Sequence, residues 1–197
     1  MAFNLFRKQP NMQEVFQATD NLAKKTCLLG MYLHIKQKDS FLNKSELTRV
    51  DAVIFATYMN QLIIASAAHS RKVADQAIDR YVEFVCQILE DDGGCFDGGI
   101  APSTIRPMMK NRFAFYTKII QSKRNKTAGI SAIVEEFGYI IKTDILEGQY
   151  KEFSSSSPLP ILGFDKDFIC QIEVQKYPAF VKELLDAQLK ALLELIK

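Results

Sequence analysis

Apolar residues recur along this chain at helical intervals in five segments, and the stretches between them are polar, glycine-rich or proline-rich. Asn11 and Glu14 stand at capping-box spacing after Pro10, with Asn where Ser or Thr is usual. Val15, Phe16, Leu22, Ala23, Leu29 and Leu33 follow, which predicts a first helix to about Ile35. Asn43 and Glu46 repeat the start signal after the polar stretch 36–40 and open a second helix, over 47–68. Beyond 68–70 a third helix sets Ala74, Ala77, Ile78, Tyr81, Val82, Val85 and Leu89 on one stripe. Arg71, Lys72, Asp75, Asp79, Arg80, Glu83 and Glu90 take its other side.

Residues 91–102 read DDGGCFDGGIAP, and four glycines in so short a space make a helix there costly, at about 1 kcal/mol each. A loop is predicted. Pro107 fits the first turn of a fourth helix, whose apolar side is Met109, Phe113, Tyr116 and Ile120 with Met108 and Ile119 alongside. Thr127 begins a fifth, with Ile130, Ile133, Val134, Phe137, Ile141 and Ile145 inward and Gly148 at its end. The serine run at 154–157 and Pro158 and Pro160 mark 148–163 as an irregular connection. In 168–176, Phe168, Cys170, Ile172 and Val174 alternate with polar residues, but no second alternating run offers a strand partner, so helix is favoured. A last helix runs over 178–197, with Lys182, Asp186, Lys190, Glu194 and Lys197 on a narrow polar line opposite Leu184, Leu185, Leu189, Leu192 and Ile196.

These segments predict one all-α domain over 11–197, a bundle of about six helices preceded by an arm at 1–10. The second helix belongs at its centre. Its stretch 52–68 carries no formal charge, but 17 residues fall at the short limit for crossing a hydrocarbon core of about 30 Å. Asn60 and Gln61 also sit at its middle, where lipid offers no partner. A buried core helix is expected, and no transmembrane segment.

Composition narrows the function classes. With 48% hydrophobic and 24% charged residues in 197, a mainly disordered chain is excluded, and a net charge of +2 gives no general pull towards nucleic acid or membrane. Cys27, Cys86, Cys95 and Cys170 are spread singly, without metal or redox spacing; the first, second and fourth have apolar neighbours and read as buried thiols, whereas Cys95 lies in the glycine loop. Phe3, Leu5 and Phe6 do not make an apolar run of signal-peptide length, so a cytoplasmic protein is expected.

Candidates for chemistry are few. His34 and His69 stand on different helices with no second ligand at metal spacing, and no Glu-x-x-His pair exists. Asp75, Asp79 and Glu83 share a helix face that suits a hard cation in principle, but Arg71, Lys72 and Arg80 among them make a solvated ion-pair surface the better reading. Asp91, Asp92 and Asp97 lack the order of a calcium loop, and no phosphate-cradling glycine motif or nucleophile elbow occurs. We therefore expect no catalytic residues, no metal and no cofactor.

Charge is nonetheless uneven. No acid occurs over 98–134, where Arg106, Lys110, Arg112, Lys118, Lys123, Arg124 and Lys126 give +7; the net +2 leaves −5 for the rest. Phe113, Phe115 and Tyr116 stand nearby for base stacking, but Arg112 projects roughly 200° from Lys110 at the helical 3.6 residues per turn, so the bases do not form one stripe. The expected function is a non-catalytic protein–protein interaction module of adaptor, chaperone or toxin-neutralising type, acting through helix faces on a different protein or a second copy. Its candidate contacts are Arg106, Lys110, Lys118, Lys123, Arg124 and Lys126 with Leu185 and Leu192 of the last helix. Nucleic-acid binding through 106–126 is the alternative, and an enzyme whose site forms no motif is the second alternative.

Overall fold

The structure, a computed structural model, describes residues 10–36, 46–91, 101–125, 127–133, 137 and 188–197. Nine-tenths of these are helical and none is in a strand, so the fold is an all-α helical bundle. Its helices are α1 (Met12–Lys36), α2 (Glu46–Ala67), α3 (Arg71–Asp91), α4 (Pro102–Ser122), α5 (127–133, with 137 also helical) and α6 (188–196).

The start of α1 follows from its cap: Asn11 Oδ1 accepts the Gln13 amide at 3.1 Å, and the Asn11 carbonyl receives Val15 N–H. Val15, Leu22 and Ala23 are buried, whereas Phe16, expected inward, is 37% exposed at the margin of the stripe. The helix packs most extensively on α3, and α2 crosses both. On α3 the predicted stripe is buried at Ala74, Ala77, Tyr81, Val85 and Leu89 and is joined by Cys86.

Within α2, every residue from 50 to 58 is buried, the signature of a helix with neighbours all round. By length and composition Arg49–Ala67 is also apolar enough to cross a membrane, and in the fold it is largely covered by the bundle. One hydrophobic cluster joins α2 to residues of the other five helices, down to Leu189, Leu192 and Ile196 of α6.

Two polar features tie this apolar helix to its neighbours. Asp51 and Arg112, each 1% exposed, form a two-pronged ion pair between α2 and α4 at 2.8 and 3.0 Å. Asn60 Nδ2 donates to Tyr81 Oη at 2.9 Å, and Tyr81 lies 2.8 Å from Thr26 Oγ1, linking α2, α3 and α1. The single Thr26 hydroxyl proton goes to the Leu22 carbonyl at 2.8 Å, so Tyr81 is the donor to Thr26. Beside the ion pair an aromatic layer joins α2 to α4 and α5: Phe55 stacks on Phe137 with centroids 4.3 Å apart and meets Tyr116 edge-on. Such contacts add about 0.5–1.5 kcal/mol each to burial.

Two expectations need correction here. Helix α4 begins at Pro102, not at Pro107, because Pro102 has no N–H to lose at the first helical position; Pro107 lies inside the helix, on its exposed side. Its absent N–H leaves the carbonyl of exposed Ser103 to solvent. In α5, Ile133 and Phe137 are buried but Ile130 only half so, and Asn125 supplies the cap, its Oδ1 accepting the Ala128 amide at 2.8 Å. The loop residues 92–100, the connection 148–163, the ambiguous 168–176, Cys95, Cys170 and all of 178–187 lie outside the described residues, as do the side chains of Leu29, Leu33, His34, Val134, Ile141 and Ile145.

Candidate functional site

The seven bases of the acid-free segment have separate fates. Arg106 leaves α4 for α3, where its guanidinium donates to both Glu83 oxygens at 2.9 Å and to Glu90 Oε2 at 3.0 Å. The Glu83 and Glu90 bonds raise the guanidinium pKa, and the same Arg106 bond lowers that of Glu83. Arg112 is a core residue. Lys110, Lys118, Lys123 and Arg124 are exposed, with no ion pair among the described residues. Lys126 and Leu185 lie outside the described residues, and Leu192 is wholly buried in the chain's own core rather than displayed.

Withdrawing Arg112 changes the picture of the basic helix. Lys110 and Lys118 lie roughly 40° and 120° round the helix from Arg106, and the exposed Ala114, Thr117 and Gln121 fall between, so the remaining bases of α4 do share one outer face. The aromatic residues do not join them. Phe115 and Tyr116 are buried, and Phe113 packs on Tyr58 with centroids 5.4 Å apart, so no ring of this helix is open for base stacking.

The apolar feature that sequence reasoning missed is at the far end of α2. Met59, Leu62, Ile63, Ser66 and Ala67 form the floor of an open groove of about 250 Å³, with Ile130 of α5 as its wall. Ile63 is 39% exposed, although it belongs to the same uncharged run as the buried residues 52–58. The covering helices explain the difference. Helix α4 runs parallel to α2, since Asp51 meets Arg112 while Tyr58 Oη meets Thr117 Oγ1 at 3.1 Å. From that contact α4 continues only to Ser122, about 7.5 Å on at 1.5 Å per residue, which brings it level with Ile63. The chain then turns at 123–125 and α5 comes back, closing against α4 where Gly129 lies over Ile120; a Cβ there would stand 3.1 Å from the Ile120 Cα. Helix α4 thus flanks the groove only as far as Ile63, and Ser66 and Ala67 lie past its end, level with the turn that carries Lys123 and Arg124.

The other side of this end is the α2–α3 turn. His69 donates its backbone N–H at 3.3 Å and its Nδ1–H at 2.6 Å to the Ile196 carbonyl, seating the last turn of α6. Arg71 and Lys72 follow, both exposed, with Arg71 3.7 Å from Asp75.

The remaining reactive groups are engaged in the interior. Burial pushes the Tyr81 hydroxyl up to about 12 against the opposing hydrogen bonds of Thr26, Asn60 and Thr57, and pushes the Cys86 thiol, 3.6 Å from Met109 Sδ, up to about 11. Among the described residues no three of His, Cys, Asp and Glu are gathered closely enough to hold a metal ion. Of the three carboxylates on α3, Asp75 pairs with Arg71 and Glu83 with Arg106, while Arg80 reaches past them to grip Asp20 of α1 at 2.7 Å on both oxygens. Compared with protein-family models, with curated proteins and with solved structures, the chain matches none.

Proposed function

We propose that this chain is a non-catalytic protein-interaction module that receives a helix face of its partner in the groove between α2 and α5. The observation that carries the reading is the open groove itself: the uncharged run of α2 from 52 to 67 is buried at 52–58 and accessible at Met59, Leu62 and Ile63. Its volume of about 250 Å³ lies below the roughly 300–1,000 Å³ usual for small-molecule sites and suits a few aliphatic side chains. The burial of the α4 aromatics weighs against the nucleic-acid alternative, because a basic face without open rings offers phosphate contacts and no stacking. Cys27 and Cys86, buried in the core without a disulfide, are in keeping with a reducing, cytoplasmic setting.

The test is affinity capture of the tagged protein from its own lysate, run beside the Ile63→Asp variant and a control changed at exposed Asp79. A protein co-eluting in stoichiometric amount with the parent and the control, and lost with Ile63→Asp at unchanged circular dichroism, is the expected result. A partner that ignores the groove substitution removes the assignment to this surface.

A further inference from the structure

We infer that the partner segment seated in this groove is an acidic amphipathic helix, with its aliphatic residues on Met59, Leu62, Ile63 and Ile130 and its carboxylates meeting Lys123 and Arg124. The inference rests on the interaction reading above and adds the chemistry of the occupant. The groove supplies no charge of its own, so its apolar floor sets depth and not polarity. Polarity comes from the margin. The capping bond from Ala128 N to Asn125 Oδ1 and the Gly129 N–H to Asn125 carbonyl bond, 3.1 Å, fix the 123–125 turn directly on the start of α5. Ile130, the wall of the groove, is five residues from Asn125, about 7.5 Å along a helix axis. Arg124 and Lys123 stand one and two residues beyond Asn125, near the Debye length of roughly 8 Å at physiological salt, so their charge reaches an occupant of the groove partly screened.

Among the described residues neither base is paired with an acid, and the sequence holds no acid from 98 to 134. After the α2–α3 turn Arg71 and Lys72 are exposed as well, with Arg71 3.7 Å from Asp75. A basic occupant would meet unpaired cations at the α4–α5 turn, and a neutral one would leave them unused. A bilayer takes a broad apolar face along a helix, whereas α2 exposes only the short stretch around Ile63 beside Ile130.

A displayed library of amphipathic helical peptides, with apolar residues held at i, i+3, i+4 and i+7 and the other positions randomised, selects for the full-length purified chain. The expected binders are enriched in Asp and Glu on one flank of the apolar stripe. Their affinity, measured by fluorescence anisotropy, should fall about tenfold or more with Lys123→Glu/Arg124→Glu, and by a similar factor between about 50 and 300 mM salt, as contacts at this distance are screened. Ile63→Asp abolishes binding; Ser66→Glu, at an exposed lining position, does so without touching the core. Groove-dependent binders with no acidic enrichment, or indifferent to the Lys123/Arg124 reversal, overturn the inference and leave the interaction reading standing. Binders unaffected by both Ile63→Asp and Ser66→Glu overturn both. A doubled mass by light scattering, lost with Ser66→Glu, makes a second copy the occupant and overturns the acidic-partner assignment, as does binding to anionic vesicles that the same variant abolishes.

Discussion

Tyr81 shows how a polar atom is accommodated in an apolar core. Its hydroxyl accepts from Asn60 and donates to Thr26, which passes its own proton to the Leu22 carbonyl, so a buried O–H has both roles filled. Tyr81→Phe removes the acceptor of Asn60 Nδ2 and the donor to Thr26 while leaving the ring, and the expected cost is about 1–3 kcal/mol by urea denaturation. The pH dependence has a definite sign. Burial raises the folded pKa to about 12 from the ordinary 10.0, so the folded state keeps its proton where the unfolded state has lost it. The stabilisation from this group is therefore complete below about pH 10 and is lost as pH rises towards 12. Denaturation of parent and Tyr81→Phe between pH 9 and 12 should show the stability gap narrowing over that window. A constant gap would mean that the phenol titrates normally in the fold.

Between helices, the Asp51–Arg112 pair sets the axial position of α4 on α2, and with it the point, level with Ile63 in the groove, where α4 ends. A buried pair of this kind gains little net stability, because desolvation of both charges offsets their attraction, but removing one partner strands the other. Asp51→Leu or Arg112→Met alone is expected to cost about 3–5 kcal/mol. Asp51→Leu with Arg112→Met, which removes both charges, should cost well under the sum of the two single effects, measured as a double-mutant cycle by denaturation. Additive losses would show that the two side chains act independently. This pair also marks a limit of sequence reading: helical spacing turns Arg112 away from Lys110, but its partner, a carboxylate 61 residues away, is brought opposite it only by the fold.

For the bundle as one body, the consequence of a single core is that the C-terminal helix cannot loosen alone. Leu192 has no exposed surface, belongs to the same cluster as the central residues of α2, and sits four residues before the carbonyl held by His69. Leu192→Ala should cost about 2–5 kcal/mol and lower the protection of α2 amides in native-state hydrogen exchange by a matching amount, while the mass by light scattering stays unchanged. Loss of protection confined to 188–196 would instead make α6 a separately docking element.

What the linear sequence determined about this protein is its class and its punctuation. The helical period, the Asn11 cap, the stripe of α3 and the uncharged run of α2 are local properties, set by neighbours one turn away, and they were legible because backbone hydrogen bonding and amphipathicity act over that distance. The same locality explains what was missed. Apolar residues all round α2 announce a buried helix and cannot say that its last turns are left uncovered, since that depends on where α4 stops and α5 turns back. In the basic segment helical spacing turned Arg112 away from Lys110, and only packing made it a core residue, Arg106 a link to α3 and Lys110, Lys118, Lys123 and Arg124 exposed bases. Which face of a helix is covered and which charge is spent are relations between distant parts of the chain, and tertiary structure alone decides them.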